Sequence, residues 1–292
     1  MTERLIEILE ETCQETGAPA VAGIVVTHDA VVAQAAAGVR RLGRDTPVTL
    51  ESEFHTGSNA KAMTATICAS VVRRGLLRWA TTPLEVFPEL GGSILPAYEE
   101  ITLEMLLRHM AGIPPYTDDE TEDFVVPDWK GVPIEQQVTF FAKWLLQERV
   151  PVNEPGTQFS YSNAGYSIAA AMAEAATGQS WEEMLQAYLF NPLGMEAVAG
   201  KGWPALHDPS QPWGHYVRDG EIIPQHPDGE YQLEPFLAPA GDVSTSISAY
   251  GRFLQMHPRG LQGGESFLPS ETPPGLACRR CASTGTRQAP PS

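Results

Sequence analysis

The chain has 292 residues, 42% of them hydrophobic and 19% charged, the proportions of an ordinary globular protein with a sizeable core. Its 19 Lys and Arg against 36 Asp and Glu give a net charge of −17, which excludes the basic face that nucleic acid or an anionic membrane requires. The opening MTERLIEILEETCQETG is acidic and amphipathic rather than signal-like, and no apolar run approaches the ~20 residues of a membrane span, so a cytoplasmic location is expected.

Leu5, Ile6, Leu9 and Cys13 recur at helical spacing, and Gly17 with Pro19 ends that helix. VAGIVVT (21–27) and AVVAQAAAGV (30–39), joined at His28–Asp29, read as a β-hairpin. A helical pattern runs from Ser58 to Val72 with Gly75 as its stop, and another covers ITLEMLLRHM (101–110). PIEQQVTFFAKWLLQER (133–149) opens with Pro133 in a first-turn position. NAGYSIAAAMAEAATG (163–178) ends at its glycine, and Ser180 with Glu183 makes a capping box for WEEMLQAYLF. Richness in Pro, Gly, Trp and His predicts long loops between about 196 and 240, and a last helix is expected over Ser244–Leu254. The plan is α/β plus all-α: a helix and hairpin in residues 1–55, a mainly helical part in 56–240, and a return helix in 241–272. Cys13 and Cys68 fall within helical patterns and are expected to pack as small hydrophobes. Cys278 and Cys281 form a lone CxxC without a second pair, so neither a metal nor another cofactor is expected.

Two short stretches carry chemistry. In FHTGSNAK (54–61), Ser58 and Lys61 lie three residues apart, on one face of a helix that starts at the serine. A serine hydroxyl needs a base within hydrogen-bond reach, and a lysine serves as one only when burial or a neighbouring cation holds it neutral. The helix N-terminus favours the oxyanion formed when the serine attacks a carbonyl. Alone, the spacing is equally that of a capping serine beside a solvated lysine. The second stretch is FSYSNAGY (159–166), in which Tyr161 and Asn163 flank Ser162. A tyrosine oxygen passes protons between serine, lysine and leaving group, an asparagine amide holds a substrate carbonyl or amide, and Asn163 also suits a helix cap.

With these two motifs the sequence resembles the serine β-lactamase-like hydrolases, in the branch of class C β-lactamases, DD-peptidases and family VIII esterases. The resemblance covers roughly residues 1–272 and rests on an ordered series. FHTGSNAKAMTA, GLLRWATTPLEVFPEL, ITLEMLLRHMAGIP with its His109–Met110–Ala111–Gly112 turn, PGTQFSYSNAGYSIAAAMAEAATG, NPLGM (191–195) and PAGDVSTSISAYGRF (239–253) follow one another in the family's order. It implies the β-lactamase/transpeptidase-like fold and an acyl-enzyme mechanism on a small-molecule ester or amide. Ser58 is then the acylated nucleophile, Lys61 the general base, Tyr161 the proton relay and Asn163 a substrate-positioning residue.

One family element is not found. After Tyr161 no Lys-Thr-Gly or His-x-Gly occurs: Lys201 precedes Gly202–Trp203, and His207, His215, His226 and His257 lack a glycine two places on. Ser283–Thr284–Gly285 keeps the Thr-Gly but sits in a stretch without strand alternation. The last twenty residues, PPGLACRRCASTGTRQAPPS (273–292), contain no acidic residue, three arginines and four prolines. They read as a frameshift or truncation product, with a natural disordered tail as the alternative. On this reading the sheet is incomplete at its C-terminal end and the 21–39 hairpin exposes an apolar face and an open edge. The expected function is therefore a serine hydrolase acting on an ester, peptide or β-lactam bond. The rival is a catalytically impaired or dead member that acts, if at all, by binding.

Overall fold

The computed structural model describes residues 1–117, 124–229 and 232–261. Helix α1 (Thr2–Thr16) stops where Gly17 turns left-handed. Strands β1 (Ala20–Val26) and β2 (Val31–Gly38) follow as the antiparallel hairpin that the alternation predicts, with Ala20 opposite Gly38 and Val25 opposite Ala33. Leu9 of α1 packs on Ala35 and Ala37 of β2, a small core completed by Leu5, Cys13 and Val21. Strand β3 (Glu53–His55) then leads through a 3₁₀ turn, Gly57–Asn59, into α2 (Ala60–Arg73). Ser58 thus stands in the turn that feeds the helix rather than in the helix itself.

The helical part comprises α3 (Pro83–Val86), α4 (Leu103–Leu107), α5 (Gln137–Glu148), α6 (Asn163–Thr177), α7 (Trp181–Leu185) and α8 (Asn191–Leu193), with a π-helical stretch, Gln186–Phe190, joining the last two. The capping box of Ser180 and Glu183 forms as expected. Two helices are shorter than their patterns predict. The 101–110 segment is helical only over α4, because His109 takes a left-handed φ of 58°. Pro133 stays outside α5 and heads a 3₁₀ turn, Ile134–Gln136, before it.

The region from 196 to 240 is not all loop. It holds β4 (Ala197–Ala199), α9 (Pro204–His207), the β5 (His215–Arg218) and β6 (Glu221–Pro224) hairpin, and α10 (Ala238–Gly241). The expected start of the last helix at Ser244 is also corrected: Val243–Ser246 is strand β7, and α11 spans Ile247–Leu261. The β-branched Val243 and Thr245 fit a buried strand. Ser246 then accepts the Ala249 N–H through its hydroxyl (3.2 Å), so the helix begins only after it.

Strand β7 runs between β3 and β4, antiparallel to both, with His55 opposite Ser244. Helix α6 is buried on every side from Ala164 to Ala173, and its alanines let α2, α4, α5 and α10 pack close. Trp181, Phe141, Phe190 and Phe236 fill the surrounding core, which also takes in Cys68. On its second face the hairpin meets α11. A side chain at Gly251 would collide with Ile24, while Gln255 and Arg259 donate to the carbonyls of Thr27 and His28 at the hairpin tip. The expectation of a bare apolar face is corrected, since α1 and α11 clasp the hairpin from opposite sides. Among the described residues it nevertheless remains a sheet of two strands. Ser283–Thr284–Gly285, Cys278, Cys281 and the whole 273–292 tail lie outside the described residues. No described helix is long and apolar enough to cross a membrane.

Glu174 of α6 links two of these helices, accepting from the Thr139 hydroxyl and the Trp181 N–H, each at 3.0 Å. Burial pushes its carboxyl up to about 7, against the pull of those two hydrogen bonds. The folded chain therefore keeps a proton that the unfolded chain releases near 4.5, and stability falls as pH rises through that interval. Gln at this position retains both bonds, with its amide nitrogen donating to Thr139. Glu174→Gln is expected to raise Tm by a few degrees at pH 8 and to leave it nearly unchanged at pH 4, as read by parallel thermal melts. An equal shift at both pH values would show that Glu174 titrates like an exposed carboxylate.

Candidate active site

The site is assembled at the turn between β3 and α2. Thr56 anchors that turn to β7, since its N–H and its hydroxyl both donate to the Val243 carbonyl at 2.8 Å. Gly57 then takes φ +52°, a left-handed conformation in which a side chain is strained, and Ser58 is delivered to the surface at the α2 N-terminus.

Lys61 lies on the next turn and is 94% buried, its amine enclosed by three acceptors. Nζ donates to Ser58 Oγ at 3.2 Å, Asn163 Oδ1 at 2.7 Å and the Ala240 carbonyl at 2.7 Å. It also lies 4.9 Å from the Tyr161 ring centroid and 5.6 Å from that of Tyr166. Burial lowers the Lys61 pKa from its usual 10.5, and the contact with Tyr161 opposes part of that fall. The amine is thus moved toward the neutral form that a base requires, within an aromatic and carbonyl cage that still tolerates the ammonium.

Tyr161 arrives from the segment before α6 and donates its hydroxyl to Ser58 Oγ at 2.8 Å. Ser162 caps α6, accepting the Gly165 N–H and donating to the Pro114 carbonyl. The Asn163 backbone N–H bonds to the Pro115 carbonyl and its side-chain Nδ2 to the Tyr116 carbonyl, both at 2.7 Å. The four residues singled out in the sequence, Ser58, Lys61, Tyr161 and Asn163, are therefore brought into one hydrogen-bonded group. Asn163 lines the cleft, and its amide oxygen is already bound to Lys61, a contact that sequence reasoning did not foresee.

The cleft above Ser58 has a volume of about 320 Å³ and is walled by Tyr116, Phe124, Trp203 and Leu237. Two further polar side chains that the sequence reading did not select stand on its rim. His55 Nε2 lies 3.5 Å from Asp242 Oδ1, and the His55 ring meets Trp203 edge-on at 4.7 Å. Asp242 also accepts the Gly202 N–H at 2.9 Å, tying the 200–203 loop to the α10–β7 connection. Nothing in local spacing could join His55 to Asp242, because only the β3–β7 pairing places them side by side.

Thr64 supports the cleft floor one turn beyond Lys61. Fully buried, it donates to the Pro239 carbonyl at 2.7 Å and accepts from Trp181 Nε1 at 2.9 Å. Thr64→Val preserves shape and leaves two buried groups unsatisfied. It is expected to cost roughly 2–4 kcal/mol in a urea titration; a change within error would mean that water replaces both partners.

Comparison with known proteins places this geometry. The family model described as Beta-lactamase matches residues 5–286. Penicillin-binding protein 4 of Amycolatopsis lactamdurans is 31% identical over 234 residues, covering 80% of this chain and 55% of that protein. A β-lactamase of Escherichia coli K12 is 24% identical over 235 residues, covering 79% of this chain and 54% of its own length. Among solved structures, the octameric penicillin-binding protein homologue from Pyrococcus abyssi superposes with a TM-score of 0.69 at 23% identity, over 90% of this chain and 56% of that one. The chain thus spans about half the length of the relatives it matches.

Proposed function

Because the chain belongs to the β-lactamase family, we propose that it is a serine hydrolase working through an acyl-enzyme at Ser58 on an ester or amide. Residues 1–272 form the hydrolase domain in this reading, and 273–292 an atypical tail. The observation that carries it is the meeting of Tyr161 and Lys61 on one serine oxygen, at 2.8 and 3.2 Å.

Ser58 Oγ attacks the substrate carbonyl, and its proton passes to Lys61 Nζ, directly or through the Tyr161 oxygen. Charge develops on the carbonyl oxygen beside the α2 N-terminus, where the helix dipole favours it. Tyr161 returns the proton to the leaving group as the tetrahedral adduct collapses to the acyl-enzyme. Water then attacks the ester and gives up its proton by the same route. Asn163 has a second amide hydrogen besides the one on the Tyr116 carbonyl, and this suits it to hold a substrate carbonyl or amide at the cleft mouth.

A fluorophosphonate probe tests the reading, with the adduct located by mass spectrometry. Labelling is expected at Ser58 and absent in Ser58→Ala. Lys61→Ala is expected to slow it by about 10²–10⁴, whereas Lys143→Ala, which removes the ion pair of that α5 lysine with Glu89, leaves the rate unchanged. The rate should climb with pH to a midpoint below 10.5, set by the lowered Lys61 pKa, and that limb should vanish in Lys61→Ala. Equal rates for the two lysine variants would remove Lys61 from the base role. No Lys-Thr-Gly or His-x-Gly follows Tyr161 within these 292 residues, and the second reading is a catalytically impaired or dead member that acts, if at all, by binding. Stoichiometric labelling without steady hydrolysis of a p-nitrophenyl ester would select it.

A further inference from the structure

His109 takes no part in the chemistry above, yet it is held firmly beside it. Its backbone sits at φ 58°, a conformation uncommon outside glycine and found preferentially at functional sites. Two hydrogen bonds fasten it to the segment that carries the relay tyrosine. The His109 carbonyl accepts the Ser160 N–H at 2.8 Å, and Nδ1 accepts the Ser162 N–H at 3.0 Å, one residue on either side of Tyr161. Its ring stacks on Tyr161 at 4.6 Å and 29°, with Tyr166 at 5.2 Å and the edge of Phe159 at 5.4 Å.

An acceptor at Nδ1 places the imidazole proton on Nε2 and fixes the neutral tautomer. Burial, with the nearby Lys61 charge, lowers the His109 pKa to about 4, so the ring stays neutral through the range in which a hydrolase works. Tyr161 itself is 37% exposed and its hydroxyl reaches Ser58 from the solvent side. A ring so placed needs a fixed surface beneath it, because small displacements of a reacting group are costly in rate.

We propose that His109 is a positioning residue for the relay: its ring is the platform, and its two hydrogen bonds the clamp, that hold the Tyr161 hydroxyl on Ser58. The proposal rests on the hydrolase reading and adds a residue to it. His109 touches neither the nucleophile nor the substrate, and it acts through Tyr161 alone.

His109→Asn separates this role from simple folding. Asn tolerates the left-handed backbone, and its Oδ1 replaces Nδ1 as acceptor, while the stacking ring is lost. The variant is expected to melt within a few degrees of wild type and to label Ser58 with fluorophosphonate about 10–100-fold more slowly. Tyr161→Phe should be slowed comparably, and Tyr161→Phe/His109→Asn no further than Tyr161→Phe, the signature of two residues acting through one group. The ¹³Cζ signal of Tyr161 should also move in His109→Asn without any substrate present. Wild-type labelling in His109→Asn, or losses that multiply in the double variant, would overturn the proposal and leave the hydrolase reading intact. A wild-type chain that never labels would instead refute the hydrolase reading, and the relay role with it. If His109→Asn does not fold, Phe159→Ala frees one edge of the imidazole at a surface position. Slowed labelling in it then supports the platform, and the wild-type rate rejects it.

Discussion

Lys61 is an amine with almost no access to water, and the centre of the molecule is organised around satisfying it. An ammonium group buried without partners is too costly to persist. Its three acceptors come from three separate pieces of chain: the turn before α2, the start of α6 and the end of α10. Each piece is in turn secured elsewhere. Thr56 fastens the turn to β7, Thr64 fastens the 239–240 segment to α2 and Trp181, and the 114–116 loop fastens the start of α6. Removing any of these ties loosens an acceptor of the same amine, so packing and chemistry are coupled through one side chain.

The same burial bears on the proposed chemistry. In water the Lys61 amine would be fully protonated and useless as a base. Burial lowers its pKa, while the contact with Tyr161 opposes part of that fall and keeps the charged form accessible. The proposed relay needs this balance, since in it the amine takes a proton from Ser58 and later releases it. The neutral ring of His109 lies against Tyr161 and Tyr166 in the same aromatic layer.

Outside the helical core the structure is held by smaller devices. The β1–β2 hairpin has no third strand among the described residues, and its two faces are covered by α1 and α11 through Leu9 and the close approach at Gly251. Strand β7 has the opposite character. It is buried, central to its sheet, and carries Val243, whose carbonyl holds the turn that bears Ser58. A displacement of β7 therefore reaches the site directly, whereas the hairpin lies one layer further out, against α1 and α11.

Local sequence determined the elements whose signals are local. The α1 stop at Gly17, the hairpin alternation, the Ser180–Glu183 box and the length of α6 all follow from propensity and capping, which act within a few residues. The Ser58–Lys61 spacing and the Tyr161–Ser162–Asn163 triplet were legible for the same reason, as was the family resemblance they carry. Other features required the assembled chain. The strands at Ala197–Ala199 and Val243–Ser246 are too short to announce themselves and exist because they pair with each other, Val243–Ser246 pairing also with β3. The truncation of the 101–110 helix depends on His109 turning left-handed to bond with Ser160 and Ser162, residues that only folding brings near. The capture of Asn163 by Lys61 and the approach of His55 to Asp242 have no trace in spacing either. Periodicity reports which face of an element is apolar, but it cannot report which distant carbonyl or ring will meet that face, and the site is made of such meetings.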